Sequence, residues 1–166
     1  MGHLENKLEW CIKKAKKEGE EHRGLKEVKP DEEKVNRHIA KAEHNRKAMN
    51  YLIEGNFPDW AVSASFYSLY HCLLALAAKF GYESRNQECT FTVVEYLIKN
   101  GKINLDIKWL NKIGSFDDGE LEGEEIIKLR EEFQYGIGTT VDDSKIKQLV
   151  EDTKEFIDTV RDVLKK

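Results

Sequence analysis

From Ala61 to Gly81 the chain reads AVSASFYSLYHCLLALAAKFG, and Lys79 is its only charged residue. A helix that is apolar nearly all round has to be enclosed by other helices. Pro58 and Asp59 stand where a helix begins and Gly81 where one ends, so the run predicts a central helix starting at Pro58. It is read as too short, and too interrupted by Ser63, Ser65, Ser68 and His71, for a membrane span, which needs about 20 predominantly apolar residues. Everything else in the fold has to cover this helix.

The segments able to do so are helical. Leu4, Leu8, Cys11, Ile12 and Ala15 recur at helical spacing and stop at Gly19. Residues 19–29 are charged and contain glycine, which predicts a mobile connector. Pro30 and Asp31 open a second helix with Val35, Ile39, Ala42, Met49, Leu52 and Ile53 inward, closing at Gly55. A fourth is expected from Thr90 to Asn100 with a stop at Gly101. A short helix around Trp109 follows, then an exposed acidic loop from Gly114 to Gly123, and a sixth helix from about Glu124 to Tyr135. The last begins near Asp143 and carries Leu149, Val150, Thr153, Phe156, Ile157, Val160, Val163 and Leu164 at spacings of three and four. No β-run of useful length is apparent.

Composition narrows the class. With 166 residues, two prolines and eleven glycines, the chain suits one all-α domain able to bury a core. A net charge of −4 gives a solvated surface without a global basic field, so nucleic acid would be held only at a local patch. Cys11, Cys72 and Cys89 are read as reduced thiols, and no apolar leader opens the chain. The expected setting is the cytoplasm, with no membrane contact.

Alanine and serine before the Phe66-Tyr67 pair, the aromatic-histidine pair Tyr70-His71 and the following Leu-Leu-Ala run resemble the central helix of small prokaryotic HEPN-domain proteins. The segment Leu129-Arg-Glu-Glu-Phe-Gln-Tyr-Gly136, followed by a long amphipathic helix, is similar to their signature arginine region. The resemblance covers the chain from about Pro58 onward. It implies an antiparallel bundle of about five to seven helices; with the pattern of the preceding segments, residues 1–29 are expected as an N-terminal helix and charged connector and residues 30–166 as the bundle. It also implies a homodimer, nucleotide or RNA as ligand, and a toxin-antitoxin or nucleotidyltransferase partner.

Catalytic members of that family place a histidine four to six residues beyond the arginine and cleave RNA without metal through the ribose 2′-hydroxyl. An arginine fork clamps phosphate, and imidazole exchanges protons near neutrality. Here Arg130 is present, Glu131 is its neighbour, and Tyr135 stands where the histidine would be. The last histidine in the chain is His71. A tyrosine hydroxyl titrates at about 10, so as a residue type it donates hydrogen bonds at neutral pH and is a poor base. Five residues along a helix also turn Tyr135 about 140° from Arg130, whereas Gln134 lies close to the arginine's direction.

The candidate catalytic set is therefore Arg130, Tyr135 and a recruited His71. The candidate ligand-binding set is Arg130, Glu131, Gln134, Tyr135, Tyr67 and Ser68. Each has a plainer reading: Arg130 as a salt bridge at the bundle rim, and His71 as a satisfied core histidine in the polar line Ser65, Ser68, His71. Lys34, Arg37 and Lys41, with His38, His44, Arg46 and Lys47, form either a phosphate strip or a solvated helix face. His38 and His44 lack an obvious third ligand, so neither a metal nor a cofactor is expected. The function expected is a non-catalytic or weakly catalytic nucleotide- or RNA-binding module; the alternative is a metal-independent endoribonuclease with an atypical active site.

Overall fold

The computed structural model describes residues 2–114 and 126–166. The acidic run from Asp117 to Glu125 lies outside them. Seven helices occur among the described residues: α1 His3–Glu18, α2 Glu32–Glu54, α3 Pro58–Lys79, α4 Gln87–Lys99, α5 Lys108–Ile113, α6 Ile126–Tyr135 and α7 Asp143–Leu164. The expected all-α bundle is thus the fold. Asp31 caps α2 by accepting from the Lys34 amide at 3.1 Å. Asn86 caps α4 in the same way, 3.0 Å from the Cys89 amide, which starts that helix three residues before Thr90.

Helix α3 is the centre. It packs against α2, α4, α6 and α7, and Val62, Phe66, Leu69, Leu73 and Leu76 are fully shielded. With 22 residues it is in fact long and apolar enough to cross a membrane, so length does not argue against a span. Burial accounts for its composition instead: 67% of its apolar window lies inside the protein. Helix α7 closes one side, with Phe156 at 0% exposure and its ring 4.9 Å from that of Trp109.

The connector between α1 and α2 departs from the expectation of a mobile segment. After a 3-10 turn at Gly19–Glu21, residues Leu25–Glu27 form a strand, β1, antiparallel to β2 at Tyr82–Ser84, with Leu25 opposite Ser84. Leu25 is fully buried, which supplies the apolar anchor that three charged neighbours conceal in the sequence. Gly81 makes the turn into β2 at φ +82°, and a Cβ there would lie 2.7 Å from the Val28 carbonyl oxygen, so glycine is required.

Glu83 on β2 gathers three basic side chains. His22 Nε2 lies 3.0 Å away, Lys34 Nζ 2.9 Å and Arg85 Nη2 3.1 Å. The hydrogen bond from Lys34, assisted by His22, holds its carboxyl down at about 2 despite partial burial. The reading of three reduced thiols is also corrected: Cys11 on α1 and Cys89 on α4 are disulfide-bonded, and only Cys72 is free. Their helices pack side by side, a juxtaposition that a separation of 78 residues hides from local pattern.

Candidate functional site

Arg130 projects from α6 onto the face of α3. Its guanidinium carbon sits 4.4 Å from the centre of the Phe66 ring and 5.6 Å from that of Tyr67, and its Nη1 donates to the Tyr67 hydroxyl at 3.0 Å. The side chain is 11% exposed, so it is not a rim arginine. Among the described residues its carboxylate partner is Glu131, 4.0 Å off, the limit of an ion pair. The aromatic pair therefore does what the acidic neighbour was expected to do. Stacking on an aromatic face fixes a guanidinium while leaving it charged. Nε is buried with no acceptor among the described residues, an unmet donor in a native interior that normally satisfies such groups.

Because Arg130 donates, the Tyr67 oxygen accepts, and the phenolic proton is directed to something else. Tyr67 is 42% exposed, and a hydroxyl that accepts from a cation is a stronger donor in turn. One turn along α3, about 6 Å in Cβ terms, comes His71. Its Nδ1 lies 3.0 Å from His38 Nδ1 on α2. Arg130, Tyr67, His71 and His38 thus form one row across α6, α3 and α2.

The other candidates fall in different places. Ser68 does not line this face: it is fully buried and donates to the Ala42 carbonyl at 2.7 Å, because a hydroxyl inside a dry helix seam must bond there. Ser65 is buried likewise, 2.8 Å from the Thr153 hydroxyl. Tyr135 is 80% exposed and turned away from the buried Arg130, as the 140° rotation requires. Glu131 and Gln134 are exposed beside it. Within the chain His71 meets His38 rather than Arg130; sequence reasoning missed this partner because the two are 33 residues apart.

Burial holds both imidazoles below their ordinary range, His38 down to about 4 with help from neighbouring His71, Lys34 and Arg37, and His71 with help from Lys41. The strip on α2 divides. Lys34 is tied to Glu83 and Arg46 to Glu43, whereas Arg37 and Lys41 are exposed beside the histidines. Trp60, 61% exposed, lies two turns before Tyr67 on α3 and continues the same face. No group of three metal-ligating side chains occurs among the described residues.

The family model described as HEPN domain matches residues 35–163, from the first turns of α2 to the end of α7. The chain belongs to the HEPN domain family. No curated protein matches it.

Proposed function

We propose that this chain is an RNA- or nucleotide-binding HEPN module, non-catalytic or weakly catalytic, that pairs with a second copy and works beside a partner protein in the cytoplasm. The observation that carries the reading is the Arg130 guanidinium held on Phe66 with its Nη1 on the Tyr67 hydroxyl, which makes that hydroxyl a stronger donor beside a fixed cation. Such a group suits a phosphate oxygen. Exposed Tyr67 supplies a ring on which a base can stack, and that sequence-tolerant contact is worth about 1–3 kcal/mol per base.

A second copy would sit at the start of the same helix. Trp60 is a large exposed side chain on the otherwise buried central helix, and joining two copies there would cover it while leaving Tyr67 to the ligand. A nucleotidyltransferase or an antitoxin is the class of partner proposed. The alternative, a metal-independent ribonuclease, draws support from the position of His71 one turn from Tyr67, and is weakened by the outward turn of Tyr135.

The deciding experiment is RNA binding and cleavage in chelator by wild type, Arg130→Ala and Arg130→Lys. The reading expects binding that Arg130→Ala weakens and Arg130→Lys partly restores, with little turnover. Robust cleavage abolished by Arg130→Ala would instead establish the ribonuclease, and unchanged binding would remove Arg130 from any site.

A further inference from the structure

The α2–α3 seam pairs two half-buried histidines through their Nδ1 atoms, 3.0 Å apart with ring centres 5.3 Å apart. That contact holds one proton, so the ring that donates has a bare Nε2, while the ring that accepts carries its own proton on Nε2. The two Nε2 atoms lie on opposite outer sides of the pair. A further proton therefore lands on the bare Nε2, and the seam contact becomes a charge-assisted bond from an imidazolium to a neutral imidazole. Only a second added proton breaks it. The pair is built to change its charge by one without coming apart.

In the free protein everything around the pair opposes that charge. Burial is the first obstacle, and the charges add to it: the facing ring, Lys34 and Arg37 act on His38, and Lys41 acts on His71. From α3, Tyr70 meets the His71 ring edge-on at 6.4 Å and Tyr67 stands one turn before it; from α6, Arg130 reaches the Tyr67 hydroxyl. The carboxylates carried nearby are engaged elsewhere: Glu83 by Lys34, His22 and Arg85, Glu32 by Lys79, and Glu43 by Arg46 and by Arg161 of α7. Among the described residues no carboxylate pairs with either ring.

A phosphate supplies the missing charge. His71 is about 6 Å from Tyr67 between Cβ atoms, so an anion held by Tyr67 acts on it across less than the Debye length of about 8 Å at physiological salt. A strand continuing over exposed Arg37 and Lys41 comes past His38 as well. An opposite charge at such range raises a histidine's affinity for a proton about tenfold or more.

We propose that the His38–His71 pair is a proton-coupled part of the RNA site: it takes up one proton as the phosphate backbone settles over Tyr67, Arg37 and Lys41, so that the protein holds RNA more tightly in mild acid. The inference rests on the RNA-binding reading and adds the regulation of that site by pH. The sign follows from linkage. The complex holds more protons than the free protein, so affinity rises as pH falls, until the free pair is itself protonated. The pair acts through its charge from beside the strand, and the ligand has no need to touch both rings.

The test is isothermal titration of a single-stranded oligouridylate, whose bases do not titrate in this range, at pH 7, 6 and 5. Each titration is run in two buffers of different ionisation enthalpy, so that the difference in heat counts the protons taken up. Wild type should take up a fraction of a proton at pH 6 that grows towards pH 5, and should bind roughly threefold to tenfold more tightly at pH 5 than at pH 7. The double variant His38→Asn with His71→Asn should take up none and bind with little dependence on pH. Asparagine keeps a polar atom near each Nδ1 position, and thermal melting checks the fold. The ring-proton resonances of wild-type His38 and His71, followed against pH with and without the oligomer, give the same answer without a variant: RNA should move their titration to higher pH, and an unmoved titration overturns the coupling. Equal affinity at pH 7 and pH 5 without proton uptake also overturns it and leaves the RNA-binding reading intact, as does uptake that the double variant retains. Failure of wild type to bind at any of the three pH values overturns both.

Discussion

Arg130 Nη1 donates to the Tyr67 hydroxyl at 3.0 Å, and the bond's direction matters more than its length. A tyrosine that accepts from a guanidinium has its own proton left for a third party. Tyr67→Phe keeps the ring under Arg130 and deletes only that proton and its acceptor. We expect RNA affinity to fall about tenfold with little change in melting temperature. Isothermal titration with an oligouridylate measures it, and equal affinity would show that the hydroxyl serves packing alone.

Phe156 is fully buried in the middle of the α7 stripe against Trp109. Phe156→Ala should destabilise the fold by about 3–5 kcal/mol in urea unfolding. A loss under about 1 kcal/mol would mean that α7 docks loosely.

Acid should weaken the protein in two stages. His38 is held to about 4 when folded and recovers an ordinary histidine value when unfolded. The unfolded chain therefore binds the proton first, and the stabilisation present above about 6.5 is lost as pH falls towards 4. Glu83, held at about 2 by Lys34 and His22, contributes stability that is whole above about 4.5 and is lost as pH falls towards 2. Urea midpoints measured against pH should show both declines, and Glu83→Gln should flatten the lower one. A wild-type curve flat from 7 to 4 would contradict the shielding assigned to His38.

Cys11 and Cys89 close a loop of 78 residues. Alkylation in denaturant without reductant should label one thiol, Cys72, and three after reduction. Cys11→Ala with Cys89→Ala should cost about 4–5 kcal/mol by the loop-closure relation. Three labelled thiols in the unreduced protein would show that the bridge does not form.

A second copy should cover Trp60. Light scattering is expected to give a dimer mass at micromolar concentration. A monomer mass unchanged by tenfold concentration would rule out pairing through this face.

The helices and the turn between Arg130 and Tyr135 were legible in the sequence because both follow from the 3.6-residue period, which a single segment carries. Asp31 marks the start of α2 by its residue type, whereas Asn86, the cap of α4, goes unread in a sequence analysis that starts that helix at Thr90. What periodicity cannot carry is contact between distant segments. Leu25 as a buried strand residue, Cys11 against Cys89, and His38 against His71 each depend on where α1, α2 and α4 dock. The cation-aromatic seat of Arg130 is intermediate: Phe66 and Tyr67 were recognised as a motif, but an acidic neighbour in the same helix looked like the nearer partner. Ser68 follows Tyr67 directly, and the 100° step between neighbours turns it inward, towards the Ala42 carbonyl.

The Cys11–Cys89 bridge also decides how the chain answers to force. Tension applied at the two ends passes from residue 11 directly to residue 89 and bypasses everything between. That enclosed segment holds all of α2 and α3, and with them His38, Tyr67 and His71. Stretched out, it would contribute roughly 270 Å of contour length. A pulling experiment on the oxidised protein should lack that length and recover it after reduction, so half of the proposed RNA-contacting surface is mechanically sheltered while Arg130, beyond the bridge, is not.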